Sequence, residues 1–127
     1  MVFPAGAELM RQGEASDCMY MILSGLVAVE RAHPDVTSPV LLATFGPGEV
    51  VGEMGVLDGK PRSATVTALE ETRAMRLDAG TLASTMARFP EVAAALLRIM
   101  SQRLRSTNRM VEEAALMSWT RGSAAEQ

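Results

Sequence analysis

A chain of 127 residues and 13.6 kDa has material for one substantial hydrophobic core and not for two. Hydrophobic residues make up 48% and charged ones 21%, an ordinary globular balance, and a net charge of −3 argues against a general nucleic-acid binder. The single cysteine, Cys18, excludes an internal disulfide and a multi-cysteine zinc or iron–sulfur site, and a reducing compartment is its natural setting. From Ala7 to Leu77 the punctuation is that of a β domain. Residues 18–23 (CMYMIL) and 26–31 (LVAVER) are β-prone runs joined by Ser24-Gly25, a tight-turn signal. Cys18, at a strand start, reads as a small buried hydrophobe. Residues 33–39 (HPDVTSP) form a polar loop with His33 exposed and inert, and 40–45 (VLLATF) is a strand. Gly46-Pro47-Gly48 is a second turn, with Glu49 facing solvent beside it. Residues 63–68 (SATVTA) and 72–77 (TRAMRL) alternate with period two. Short strands punctuated by glycine turns predict a small barrel or jelly roll.

The pattern changes at Asp78. Asp78 is an N-cap candidate for a short helix whose apolar spacing runs through Leu82, Met86 and Phe89. Phe89-Pro90 ends it, and Pro90 suits the first turn of a second helix that continues to about Met117. Residues 118–127 read as a tail whose end, RGSAAEQ, frays; Trp119 either anchors the helix end or caps a ligand base. The expected organisation is one domain over 1–117, with the barrel at about 3–77 and helices at about 78–117.

Residues 52–66, GEMGVLDGKPRSATV, carry the chemistry. A phosphate-cradling P-loop is excluded by spacing: Gly55 to Gly59-Lys60 is one residue short, and Pro61 stands where a magnesium-binding hydroxyl belongs. The glycines at 46, 48 and 52 likewise miss the dinucleotide fingerprint by one position. The stretch nonetheless favours an anion, because glycines let backbone N–H groups approach a ligand closely. One helical turn over residues 53–57 would present further amides, and Arg62 adds a charged planar fork suited to phosphate oxygens. Glu53 would repel a phosphate but can accept a hydrogen bond from a sugar hydroxyl on the same ligand. The alternative for Glu53 and Arg62 is a solvated loop ion pair.

Gly48-Glu49-Val50-Val51-Gly52-Glu53-Met54 followed by Pro61-Arg62-Ser63-Ala64-Thr65-Val66 resembles the phosphate-binding cassette of cyclic-nucleotide-binding domains. Such domains occur in bacterial catabolite activators, in regulatory subunits of cyclic-AMP-dependent kinase and in cyclic-nucleotide-gated channels. Residues 3–30 look like the first strands of that family, with its Tyr-x-Ile-x-x-Gly-x-Val hairpin, and Ala7 is a minor departure from its opening. The resemblance implies an α+β, mainly β fold: a double-stranded β-helix (jelly-roll) barrel with a short phosphate-binding helix and C-terminal helices. It implies that Glu53 holds the ribose 2′-hydroxyl and Arg62 the exocyclic phosphate oxygens. Amides of Gly52, Met54 and Ala64 and the Ser63 hydroxyl would complete the cradle.

On the last helix Leu97, Met100, Leu104, Thr107, Val111 and Ala114 form a heptad seam. It packs either on the domain's own barrel or on a second copy, as in the dimeric activators this segment resembles. That resemblance brings Thr107 and Asn108 to the purine, with Arg103 one turn earlier near the ligand. The expected function is a cytoplasmic regulatory module that senses cyclic AMP or cyclic GMP, leaning to cyclic AMP on Ser63, and moves its C-terminal helices on binding. No cofactor, metal site, membrane span, direct nucleic-acid contact or catalysis is expected, since one His and one Cys assemble no catalytic constellation. Two alternatives stand beside it. The fold could serve only dimerisation or protein interaction, or the chain could be the sensor half of a CRP/FNR-like transcription regulator. In the latter case an attached effector domain lies outside this sequence.

Overall fold

Runs of β-branched and apolar residues, broken by glycine turns, build the strands in the order anticipated. The computed structural model of the chain describes residues 1–126, with side chains through residue 117. The elements are β1 (Val2–Phe3), β2 (Glu8–Met10), β3 (Cys18–Ser24), β4 (Val27–Arg31), β5 (Val40–Phe45), β6 (Val50–Val51), α1 (Glu53–Asp58), β7 (Thr65–Ala68), β8 (Thr72–Asp78), α2 (Ala79–Arg88) and α3 (Pro90–Glu126). The strands form two four-stranded antiparallel sheets, ordered β1-β8-β3-β6 and β2-β7-β4-β5. The architecture is therefore the mainly β jelly roll with C-terminal helices. Its core lies between the sheets: Cys18, Tyr20, Ile22, Val51 and Ala74 come from the first, and Leu9, Met10, Val27, Val66 and Ala68 from the second. Phe3 closes one side, meeting Tyr20 edge-to-face with ring centroids 5.6 Å apart.

One local expectation is corrected. Ser24-Gly25 does not close a hairpin, because β3 and β4 lie in different sheets. The β3–β8 register shifts between Ile22 and Ser24, which bends β3 off its sheet before the chain crosses to β4. Gly25, at φ 98°, makes that crossing directly beneath the turn into β8. A Cβ here would stand 2.5 Å from the Thr72 hydroxyl and 2.6 Å from the Glu71 carbonyl oxygen. The buried Thr72 hydroxyl donates to the Glu70 carbonyl at 2.9 Å and lies 3.3 Å from the Leu26 carbonyl, beside the crossing. Glycine is needed for close approach, and a sequence cannot distinguish that need from hairpin chemistry.

The other turn forms as expected. The Glu49 N–H donates to the Gly46 carbonyl at 3.2 Å across Pro47-Gly48, with Gly48 at φ 85°. The exposed Glu49 carboxylate accepts from the Gly46 N–H at 2.7 Å.

The chain divides into two compact units, Met1–Ala83 and Ser84–Gln127. The first holds both sheets, α1 and the start of α2; the second holds the remainder of α2 and α3. Asp78 caps α2, accepting from the Thr81 N–H at 2.8 Å, and α3 opens on Pro90 as its fixed φ favours. Helix α3 continues past Met117, where the sequence reading ended it, to Glu126. No proline follows Pro90, so no residue beyond it lacks the N–H that the helix ladder needs. The Trp119 side chain lies outside the described residues. Among the described residues no helix is long and apolar enough to cross a membrane.

Candidate functional site

The site begins where β6 ends. Val50 and Val51 are both buried, and their pairing with Met21 and Tyr20 of β3 delivers the chain to Gly52 in a set direction. Gly52 is the N-cap of α1 and takes φ 83°, a left-handed conformation that L side chains resist. A Cβ there would come within 2.6 Å of Arg62 Nη1 and 2.8 Å of the Met10 methyl. Gly52 thus serves both the turn and the close passage of the arginine.

Helix α1 opens with Glu53 and stops at Gly59, whose φ is 73° and whose N–H donates to the Gly55 carbonyl at 2.9 Å. It lies hard against the loop before β3: a Cβ on Gly55 would overlap the Ser16 hydroxyl, which donates to the Lys60 carbonyl at 2.6 Å. The following segment is held by the same loop. The Arg62 N–H donates to the Glu14 carbonyl and the Gly13 N–H to the Arg62 carbonyl, both at 2.8 Å. The Gln12 N–H reaches the Thr65 hydroxyl at 3.0 Å, and Arg31 Nε donates to the Ser63 carbonyl at 2.9 Å. Residues 60–65 are therefore pinned at Lys60, Arg62, Ser63 and Thr65 by partners far away in sequence.

Glu53, 2% exposed, and Arg62, 6% exposed, are the buried charged residues among those described. A solvated loop ion pair is thereby removed as a reading. Burying a guanidinium is costly unless acceptors replace its water. Here Nη1 donates to the Gly52 carbonyl at 3.2 Å, and Nη2 donates to the Cys18 carbonyl at 2.5 Å with the Cys18 sulfur 3.5 Å away. Asp17 stands 3.7 Å from Arg62 on one oxygen and 3.7 Å from Arg76 on the other. Because Asp17 is largely exposed, this attraction is screened and the carbonyls are the main support. Cys18 is the buried strand-start residue anticipated. Beside it, burial pushes the Tyr20 phenol above its ordinary range, so that side chain stays neutral.

Gly52, Glu53, Arg62, Ser63 and Ala64 gather within the first unit: Ala64 is buried, Ser63 exposed, and Met54 exposed on α1. Arg103, Thr107 and Asn108 lie on α3 in the second unit, Arg103 half-buried and the other two exposed. There the Thr107 hydroxyl donates to the Arg103 carbonyl one turn back, at 3.0 Å. Sequence reasoning did not pick out Gln12, Ser16, Asp17 or Arg31 as site residues. The available signal was the polar run Gln12-Gly13-Glu14-Ala15-Ser16-Asp17 directly before a strong strand, which needs partners for its backbone.

The family model described as the cyclic nucleotide-binding domain matches residues 1–89. The chain is 39% identical over 106 residues to the CRP-like cAMP-activated global transcriptional regulator of Mycobacterium tuberculosis, covering 84% of this chain and 47% of the relative. Among solved structures, the catabolite activator protein of Thermus thermophilus superposes with a TM-score of 0.81 at 31% identity, over 91% of this chain and 54% of that one. The N-terminal domain of a transcriptional regulator from Streptomyces coelicolor gives a TM-score of 0.67 at 39% identity, over 85% of this chain and 74% of that one. The chain spans about half the length of the Mycobacterium relative.

Proposed function

The chain belongs to the cyclic nucleotide-binding domain family, and we propose that it is the sensor module of a longer regulator whose signal is a cyclic nucleotide. The observation that carries this reading is the burial of Glu53 and Arg62, a carboxylate at the start of the glycine-capped helix α1 and a guanidinium just beyond its end. A ligand with one negative charge and a neutral sugar is complementary in charge and hydrogen bonding to such a pair. Arg62 would take the exocyclic phosphate oxygens, with amides of Gly52, Met54 and Ala64 and the Ser63 hydroxyl around them. Glu53 would accept from the ribose 2′-hydroxyl. Cyclic AMP is favoured over cyclic GMP by serine at position 63 and by the relative named for activation by cyclic AMP.

In this reading Arg103, Thr107 and Asn108 approach the purine from α3, and ligand occupancy biases the position of the C-terminal helices. Affinity that differs between two helix positions is what converts binding into a signal. The module is a regulator and not a catalyst, requires no cofactor, and works in the cytoplasm beside an effector domain encoded outside this sequence.

A second partner is favoured by one specific observation. Leu97, Leu104 and Val111 of the α3 seam are 64%, 62% and 62% exposed, an apolar stripe suited to the same stripe on a second copy. A module that only dimerises is the competing reading. Calorimetric titration with cyclic AMP and with cyclic GMP separates the two: saturable heat with at least one is expected. A folded protein that gives neither heat nor a thermal shift with either nucleotide overturns the sensor reading.

A further inference from the structure

Five anchors hold residues 60–65, and four of them come from the loop 12–16. The fifth is the side chain of Arg31, at the end of β4. The β4–β7 ladder has its last register pair at Glu30 and Thr65. One residue further along β4, where the pairing with β7 has stopped and that with β5 continues, Arg31 Nε donates to the Ser63 carbonyl at 2.9 Å. Beside it the Gln12 side chain ties off the same strand end, accepting from the Ala32 N–H at 2.8 Å and donating to the Ala32 carbonyl at 3.2 Å. β4 lies between β7 and β5 in its sheet, so Arg31 acts from a rigid base.

A trans peptide is planar, and its C=O and N–H point in opposite directions. Among the described residues no peptide bond is cis. The carbonyl of Ser63 and the N–H of Ala64 share one such plane, so whatever fixes the first aims the second. We propose that Arg31 is a positioning residue of the nucleotide site: by holding the Ser63 carbonyl it sets the direction in which the Ala64 N–H meets the bound phosphate. This rests on the ligand reading given above. Arg31 touches the peptide and not the ligand, which distinguishes it from Arg62. Preset donors bind an anion without a reorganisation cost at the moment of binding.

The test compares the wild-type chain with R31A and R31K by calorimetry with cyclic AMP at about 50 and 500 mM salt, a range over which the Debye length shortens severalfold. The amide resonance of Ala64 is followed in nucleotide-free protein. R31A is expected to bind roughly fivefold more weakly, the worth of one net hydrogen bond. That deficit should be the same at both salt concentrations, with partial recovery in R31K and a displaced Ala64 resonance in R31A. Wild-type-like affinity in R31A, a deficit that vanishes at high salt, or an unmoved Ala64 resonance each overturns the inference. Should R31A fail to fold, R31Q carries the same comparison. A wild-type chain that takes up neither cyclic AMP nor cyclic GMP overturns the ligand reading and this inference with it. Wild-type binding with R31A unchanged overturns this inference alone.

Discussion

Arg62 brings a permanent positive charge to a place where 6% of the residue remains exposed. The carbonyls of Gly52 and Cys18 replace its water, and a guanidinium with five donors keeps further N–H groups for an anion. Arg62→Ala is expected to weaken cyclic nucleotide binding by about 30-fold or more in calorimetry, since the phosphate would be left without its buried counter-charge. Arg62→Lys should restore little of this, because an ammonium cannot present the planar fork. A variant that binds like the wild type would move the phosphate site elsewhere. Gly52 is the companion test. Ala at φ 83° costs about 1–2 kcal/mol in backbone strain, and its Cβ would press on Arg62 Nη1. Gly52→Ala should therefore lower the urea midpoint and nucleotide affinity together; loss of stability with affinity intact would show that the position of Arg62 is not set by Gly52. At this scale Glu53 and Arg62 were legible as candidates, since residue type and spacing set what charges the segment can offer. Their burial was not, because it depends on tertiary packing, in which the Arg62 side chain meets the Cys18 carbonyl 44 residues away in sequence.

Among the elements, local signals held and shared signals misled. Asp78 ends β8 and caps α2, and its hydrogen bond from the Thr81 N–H holds the carboxyl below its ordinary value of 3.8. A lowered folded pKa means the contribution is complete above 3.8 and disappears as the pH falls through the folded value. Asp78→Ala is expected to lower the thermal midpoint at neutral pH, with the gap from wild type closing in acid below 3.8. A gap that persists in acid would mean that the charge is not what stabilises the cap. Asp78 and Pro90 could be read in advance because a cap and a first-turn proline act within a few residues. Ser24-Gly25 was read as a hairpin turn because positive φ serves a two-strand turn and an inter-sheet crossing alike. The placement of β3 and β4 in different sheets separates the two, and the Thr72 and Glu71 atoms packed against Gly25 show why glycine is needed there.

For the molecule as a whole, the proposed α3 seam makes a prediction about the state of assembly. Helix α3 spans 37 residues, and Leu104 at the middle of its seam is 62% exposed. Apolar side chains at heptad spacing on a polar helix bury best against a matching helix. Sedimentation is expected to show a dimer for the wild type and a monomer for Leu104→Glu, which places a charge in the seam. A wild type that sediments as a monomer with and without cyclic nucleotide removes the seam as an interface.

What the sequence determined by itself was whatever acts through neighbours in the chain: strands and turns, the Asp78 cap, the Pro90 start, and a cassette whose motif places the chain in the cyclic nucleotide-binding domain family. Tertiary structure decided the rest. It assigned consecutive strands, β4 and β5 apart, to opposite sheets, buried both charges, and gave Arg62 carbonyl partners from Gly52 and Cys18. It also brought Ser16, Asp17 and Arg31 to Lys60, Arg62 and Ser63, pairings that the sequence does not specify. The physical reason is range. Propensity and turn chemistry are set within a few residues, whereas desolvation and hydrogen-bond partnership depend on segments that meet only when two sheets close on one core.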